Sequence, residues 1–148
     1  MNEGFNKSTS QSDEWQTPQW LFDSLDSEFG FTFDGAATKE NALCRKYATK
    51  HDTTNMDADW SDERVFCNPP YSDIETFVHR ALWSSAPKAE LVVLLLPVRT
   101  DSNWHRWLVE SKAELRYYRK RISFLQDGQP MKSPRFSTLV AVVNGNRA

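Results

Sequence analysis

Leu91-Val92-Val93-Leu94-Leu95-Leu96 is an unbroken apolar run of six residues, ended by Pro97. A strand with one face in water alternates apolar and polar side chains, because successive Cβ atoms point to opposite faces. A run without alternation is therefore buried on both faces. That is the position of a central strand in a largely parallel sheet covered by helices. Six residues fall far short of the roughly 20 that a membrane-spanning helix needs, so no membrane partner is expected.

The rest of the chain supplies elements to cover such a strand. Thr17-Pro18 reads as a helix start, with Thr as N-cap and Pro at the first helical position. Leu21, Leu25 and Phe29 follow at helical spacing, and Gly30 stops the helix. Phe31-Thr32-Phe33 reads as a short strand ending at Asp34, with the small residues Gly35, Ala36 and Ala37 behind it. Another short strand is expected near Arg45 to Ala48, and one at Val65-Phe66-Cys67. Ser72-Asp73-Ile74-Glu75 has the form of a capping box, opening a helix with Ile74, Phe77, Val78 and Leu82 on one face. Ser102 starts a helix whose Trp104 and Trp107 are expected to face the core. Leu115 to Tyr118, Ile122 to Leu125 and Ser137 to Val143 read as strands with a turn at Asp127-Gly128, and no helix falls between them. The expected fold class is α/β, doubly wound, with a mostly parallel sheet and an antiparallel edge.

At 148 residues the chain has room for one domain, expected over residues 14–148, preceded by a polar arm at 1–13 that reads as disordered rather than as a signal peptide. Its two cysteines, Cys44 and Cys67, exclude a disulfide scaffold and fit a reduced, cytoplasmic setting. His51, His79 and His105 have no metal-ligand spacing with either cysteine, so no metal is expected.

Asn68-Pro69-Pro70-Tyr71 stands between the strand at Val65 and the helix near Ile74, where α/β folds place their sites. This tetrapeptide suits alkylation of an amino group attached to a planar ring or carbonyl, a poor nucleophile because its lone pair is delocalised. The Asn side-chain carbonyl and a backbone carbonyl beside a proline can each accept one N–H hydrogen. That draws the nitrogen toward tetrahedral geometry and stabilises charge as it develops. The prolines fix φ and hold the carbonyls in place. The tyrosine ring offers a face for a base out of its stack. A proline-rich turn with no chemistry is the alternative.

From Glu14 to Val143 a series of motifs resembles the S-adenosylmethionine-dependent, adenine-specific DNA methyltransferases, in particular the small bacteriophage and prophage Dam-like type. The series begins with Trp15-Gln16-Thr17-Pro18, Phe33-Asp34-Gly35-Ala36-Ala37 with Asn41, and Asp59-Trp60. It continues through Cys67-Asn68-Pro69-Pro70-Tyr71, Leu94-Leu95-Leu96-Pro97 with Arg99-Thr100, and Arg121-Ile122-Ser123-Phe124. The resemblance implies a Rossmann-like methyltransferase fold, reduced by one or two strands because the gap from Asp34 to Asn68 is short. It implies methyl transfer to the exocyclic amino group of adenine in DNA, on a flipped-out base. The implied catalytic residues are Asn68, Pro69, Pro70 and Tyr71. The implied cofactor residues are Trp15, Thr17 and Pro18 at the methionine end, Asp34 at the ammonium with Ala36 and Ala37 allowing close approach, and Asp52 near the adenosine. Capping alone also accounts for Thr17, a turn for Asp34, and an ordinary loop for Asp52. The series departs from the Gly-x-Gly loop that many methyltransferases carry after the first strand; only Gly35 stands there.

The net charge of −2 conceals a division, with −8 over residues 1–98 and +6 over residues 99–148. A basic segment on an acidic protein is the footprint of a polyanionic partner, here double-stranded DNA. Arg99, Lys120 and Arg121 are the candidate phosphate contacts, with Arg116 and Arg119 beside them. Arg99 follows the central strand and is expected on the rim that carries Asn68, whereas Lys120 and Arg121 fit a solvated strand end equally well. Transfer to an RNA base or a protein glutamine, and a DNA-binding module that has lost its cofactor, remain competing readings. The protein is expected to be a monomer or weak dimer.

Overall fold

A computed structural model of the chain describes residues 15–49, 60–83, 89–131 and 136–145. The expected arm at 1–13, Asp52 and Asp59 lie outside them. Among the described residues, helix α1 (Gln19–Phe29) precedes strands β1 (Phe33–Ala37), β2 (Lys46–Thr49) and β3 (Arg64–Cys67). A 3-10 turn at Tyr71–Asp73 leads into α2 (Ile74–Trp83), followed by β4 (Leu91–Pro97), α3 (Asn103–Glu110) and β5 (Glu114–Tyr117). The two-residue strands β6 (Leu125–Gln126) and β7 (Gln129–Pro130) form a hairpin, and β8 (Thr138–Asn144) closes the series.

Six strands form one mixed sheet in the order β2-β1-β3-β4-β8-β5. The pairs β1–β2, β1–β3 and β3–β4 are parallel, and β8 runs antiparallel to both β4 and β5, which gives the expected antiparallel edge. All seven residues of β4 are buried, as its unbroken apolar run required. Val92, Leu94 and Leu96 pack with Ile74, Phe77, Val78 and Leu82 of α2 and with Trp104 and Leu108 of α3. Leu91, Val93 and Leu95 point the other way, among Leu21, Phe22 and Leu25 of α1 and Ile122 and Phe124. Leu94, Leu95 and Leu96 are each 0% exposed; truncating one such leucine to alanine costs about 2–5 kcal/mol.

This topology sets the position of the site. The parallel strands β1, β3 and β4 end on one rim. Because β5 is antiparallel to β8, and β8 to β4, β5 ends on that rim too: Tyr117 pairs with Leu139, next to the Thr138–Pro97 pair. The chain that carries Lys120 and Arg121 therefore leaves the sheet from the Asn68 rim.

Several local expectations are corrected. The N-cap of α1 is Pro18, with no side-chain capping bond, and its carbonyl accepts the N–H groups of Leu21 and Phe22 at 3.1 and 3.2 Å. Thr17 stands one residue before the cap, and its hydroxyl oxygen accepts from Asn68 Nδ2 at 3.2 Å. The first strand does not end at Asp34 but runs on through Ala37, with a register shift between Asp34 and Ala37 against β2. Of the stretch Ile122 to Leu125 only Leu125 enters a strand, β6; Ile122 and Phe124 instead insert into the α1-side core, 5% and 2% exposed. Gly30 caps α1 in the left-handed region at φ 63°, and its N–H donates to the Asp26 carbonyl at 2.8 Å.

Candidate active site

Three segments meet above the carboxyl ends of β1 and β3. The first is Asp34, the second residue of β1, with the loop that follows Ala37. Asp34 is 3% exposed. Oδ1 accepts the Ala36 N–H at 3.2 Å and Oδ2 accepts the Leu43 N–H at 3.0 Å. The loop is also tied to itself: Thr38 N–H donates to Asn41 Oδ1 at 2.8 Å, and Asn41 N–H donates to Thr38 Oγ1 at 3.3 Å.

The second segment is Trp15-Gln16-Thr17. Gln16 exchanges two backbone hydrogen bonds with Leu125, at 2.7 and 2.9 Å, and its side-chain oxygen accepts the Gly128 N–H at 3.3 Å. The β6–β7 hairpin thus holds this segment against the sheet.

The third segment is the Asn68 motif. Asn68 is 7% exposed. Its Nδ2 donates to the Trp15 carbonyl at 3.3 Å and to Thr17 Oγ1 at 3.2 Å. A backbone carbonyl can only accept, so the amide edge facing Trp15 must be the NH2 group. The Oδ1 atom lies on the other edge, with no partner among the described residues. Pro70 gives its carbonyl to the Asp73 N–H at 2.9 Å, which leaves the Pro69 carbonyl as the candidate backbone acceptor of the motif.

Between these segments lies a cavity of about 430 Å³, bordered among others by Trp15, Thr17, Asp34, Ala36, Glu40, Leu43 and Asn68. Small-molecule and cofactor sites span about 300–1,000 Å³. The polar groups suit a small molecule carrying both an ammonium and a carboxylate. Asp34 offers a buried carboxylate held by two backbone N–H groups. Thr17, an acceptor toward Asn68, keeps its own hydroxyl hydrogen to donate, and the Trp15 indole N–H is buried with no acceptor among the described residues.

Tyr71 is 8% exposed. Its ring meets Trp15 edge-on at 6.0 Å between centroids, Phe136 at 5.5 Å and Phe124 at 6.5 Å. Trp15 in turn stacks on Phe136 at 5.3 Å. The Tyr71 hydroxyl is buried without a partner among the described residues, and burial pushes its pKa up while the nearby Arg99 charge opposes the shift. Tyr71 also borders a second depression, shared with Asp101, Ser102 and Trp104.

Of the residues named from sequence, Asn68, Trp15, Thr17, Asp34 and Ala36 come together at the cavity. Pro18, Ala37, Pro69 and Pro70 are buried beside it but do not border it. Arg99 is exposed where β4 ends, and its carbonyl accepts the Ser102 N–H and hydroxyl at 3.1 and 2.7 Å as α3 begins. Lys120 and Arg121 are exposed in the segment after β5. Arg116 is committed elsewhere: it forms a two-pronged pair with Glu28 at 2.7 and 2.6 Å and also bonds Glu114 at 2.6 Å. Leu43 escaped the sequence reading, since nothing local marks an N–H that will meet a carboxylate nine positions earlier. Gly128 carried a turn signal, but its place on the cavity wall follows from the pairing of Gln16 with Leu125. Among the described residues, no group of His, Cys, Asp and Glu side chains could hold a metal ion, and no helix is long and apolar enough to cross a membrane.

Comparison with known proteins shows the family of the chain. Residues 4–143 match the family described as DNA N-6-adenine-methyltransferase (Dam). The chain is 32% identical over 125 residues to the DNA N-6-adenine-methyltransferase of Haemophilus phage HP1 (strain HP1c1), a match covering 82% of this chain and 72% of the phage protein. It is 29% identical over 115 residues to the DNA N-6-adenine-methyltransferase of Escherichia phage T1, covering 76% of this chain and 47% of that protein. The match thus spans less than half the length of the T1 protein.

Proposed function

The chain belongs to the DNA N-6-adenine-methyltransferase (Dam) family, and from that premise we propose that it transfers a methyl group from S-adenosylmethionine to the N6 amino group of adenine in double-stranded DNA, within a Rossmann-like methyltransferase fold. The observation that carries the reading is the position of Asn68 at the end of β3. It borders the cavity that also holds the Asp34 carboxylate, with its side-chain oxygen left without a partner among the described residues.

The cofactor supplies a methyl group on a sulfonium centre. Asp34 accepts from its ammonium group, and Thr17 with the Trp15 indole donates to its carboxylate; Ala36 lets the backbone approach. Asp52, outside the described residues, keeps its proposed place near the adenosine, with Pro18 and Ala37 as backing. Asn68 Oδ1 and the Pro69 carbonyl accept the two N6 hydrogens of an adenine flipped from the duplex. These two acceptors localise the nitrogen lone pair and stabilise positive charge in the transition state, and one N6 proton is then released to solvent. Pro69 and Pro70 hold the backbone of the motif rigid, and with it the Pro69 carbonyl. Tyr71 offers aromatic surface beside the base, and Arg99, Lys120 and Arg121 on the same rim contact the phosphates.

The test is transfer of tritiated methyl to unmethylated duplex DNA, with RNA and protein as controls. Label is expected in DNA, on adenine. Label in RNA or protein, or DNA binding without transfer, contradicts the reading.

A further inference from the structure

Asn has a broad, weakly restrained χ2, and its two amide edges are opposite in hydrogen-bonding character. An Asn that must present its oxygen to a reacting amine therefore needs its NH2 edge held. At Asn68 the NH2 edge meets two acceptors of one three-residue segment, the Trp15 carbonyl at 3.3 Å and Thr17 Oγ1 at 3.2 Å. The Trp15 carbonyl dictates which edge faces it, and the Thr17 hydroxyl oxygen then has to accept. The hydroxyl hydrogen of Thr17, itself 7% exposed, is left for the cavity that the residue borders.

We propose that Thr17 is the positioning residue of Asn68: its hydroxyl holds the amide with Oδ1 toward the reacting base and, by donating its own hydrogen to an acceptor in the cavity, ties that orientation to cavity occupancy. The proposal rests on the methyltransferase reading for the identity of the reacting base, but the contact itself is independent of it. A bond that Thr17 donates polarises the hydroxyl oxygen and makes it a better acceptor for Asn68. The orientation of Asn68 is then sharpened when the cavity is filled. The segment is well placed for this, because the two Gln16–Leu125 bonds fix its backbone whatever the side chain at position 17. Thr17 is not spent on capping α1, since Pro18 is the cap and no side chain bonds there.

The experiment has two arms. In the first, the Asn68 side-chain amide is followed in ¹⁵N–¹H spectra of the cofactor-free protein, with its signals identified by their loss in Asn68→Ala. Thr17→Ser should keep both amide proton positions, whereas Thr17→Val and Thr17→Ala should shift one proton toward the free-amide value. Unchanged signals in both hydroxyl-less variants overturn the proposal. In the second arm, Thr17→Val and Thr17→Ala should lower kcat about tenfold, the worth of one hydrogen bond, with KM for DNA within about twofold. Thr17→Ser should stay within about twofold of the natural protein. A rise in KM for the cofactor with kcat unchanged overturns the proposal and leaves Thr17 a simple cofactor contact. If the natural protein transfers no methyl to DNA, the functional reading fails while the first arm still decides the contact.

Discussion

Gly35 has a structural reason that can be separated from a cofactor reason. It lies inside β1, one residue after Asp34, where a Cβ would meet Trp60 Cζ2 at 2.9 Å, Val65 Cγ1 at 3.1 Å and Cys67 Cβ at 3.4 Å. Trp60 cannot retreat easily: it is 6% exposed, with the Arg80 guanidinium 4.0 Å from its ring centroid. Forcing a methyl group into such a core costs about 1–3 kcal/mol. Alanine returns about 0.4–1 kcal/mol by restricting the unfolded chain. Gly35→Ala should therefore lower stability by about 1–2 kcal/mol, a fall in Tm of about 3–7 °C for a chain of this size. Thermal and urea denaturation of Gly35→Ala, Trp60→Phe and the double variant would measure it. Phenylalanine lacks the colliding ring atom, so the double variant should lose less than the sum of the single losses, by at least about 0.5 kcal/mol. An unchanged Tm in Gly35→Ala together with weakened cofactor binding by calorimetry would refute the reasoning. Gly35 would then serve backbone approach to the cofactor and not the packing of Trp60.

Tyr71→Phe should match or exceed the natural protein in Tm and retain methyl transfer, because it removes a buried hydroxyl that has no partner among the described residues; Tyr71→Ala should cost about 3–5 kcal/mol through lost packing, and equal damage from both would assign the hydroxyl a role. DNA binding should weaken steeply with salt, each phosphate contact adding about −0.9 to the log–log slope. Arg99→Glu and the pair Lys120→Glu/Arg121→Glu should flatten that slope, while Arg116→Glu should not, because Arg116 is paired with Glu28 and Glu114; filter-binding titrations at several salt concentrations check it. Burial, with Asp34 and Asp26 adding to it, pushes the Cys44 thiol from 9.0 to about 12. A folded pKa above the unfolded one makes its contribution to stability complete below about pH 9 and lost as pH rises toward 12. Cys44→Ala should therefore show a shallower alkaline fall in denaturation midpoint over that interval.

The parts of the fold that were legible in the sequence are those with one dominant cause. The unbroken run at Leu91 could only be a doubly covered strand, and Ser102 could be read as a cap because its hydroxyl does accept the His105 N–H, at 3.2 Å. Thr17 misled because a threonine before a proline looks the same locally whether its hydroxyl caps a helix or meets an asparagine 51 positions away. Ile122 and Phe124 alternate with polar neighbours as a strand would, yet tertiary packing against the α1-side core uses that alternation without sheet pairing. The rim shared by Arg99, Lys120 and Arg121 depended on the direction of β5, which only the pairing of β8 with both β4 and β5 reveals. Arg116 was indistinguishable from these basic neighbours until Glu28, 88 positions earlier, was found against it.

The central claim is that Asn68 makes adenine N6 reactive by accepting hydrogen bonds chiefly in the transition state. Its most direct test is the rate of N6-methyladenine formation in duplex DNA, read by mass spectrometry of digested product, for the natural protein and Asn68→Ala. The account predicts N6-methyladenine from the natural protein and a loss of about a hundredfold or more in the variant, with the variant still folded and still binding the cofactor. Near-normal turnover by Asn68→Ala, or methylation at a base other than adenine, would contradict it.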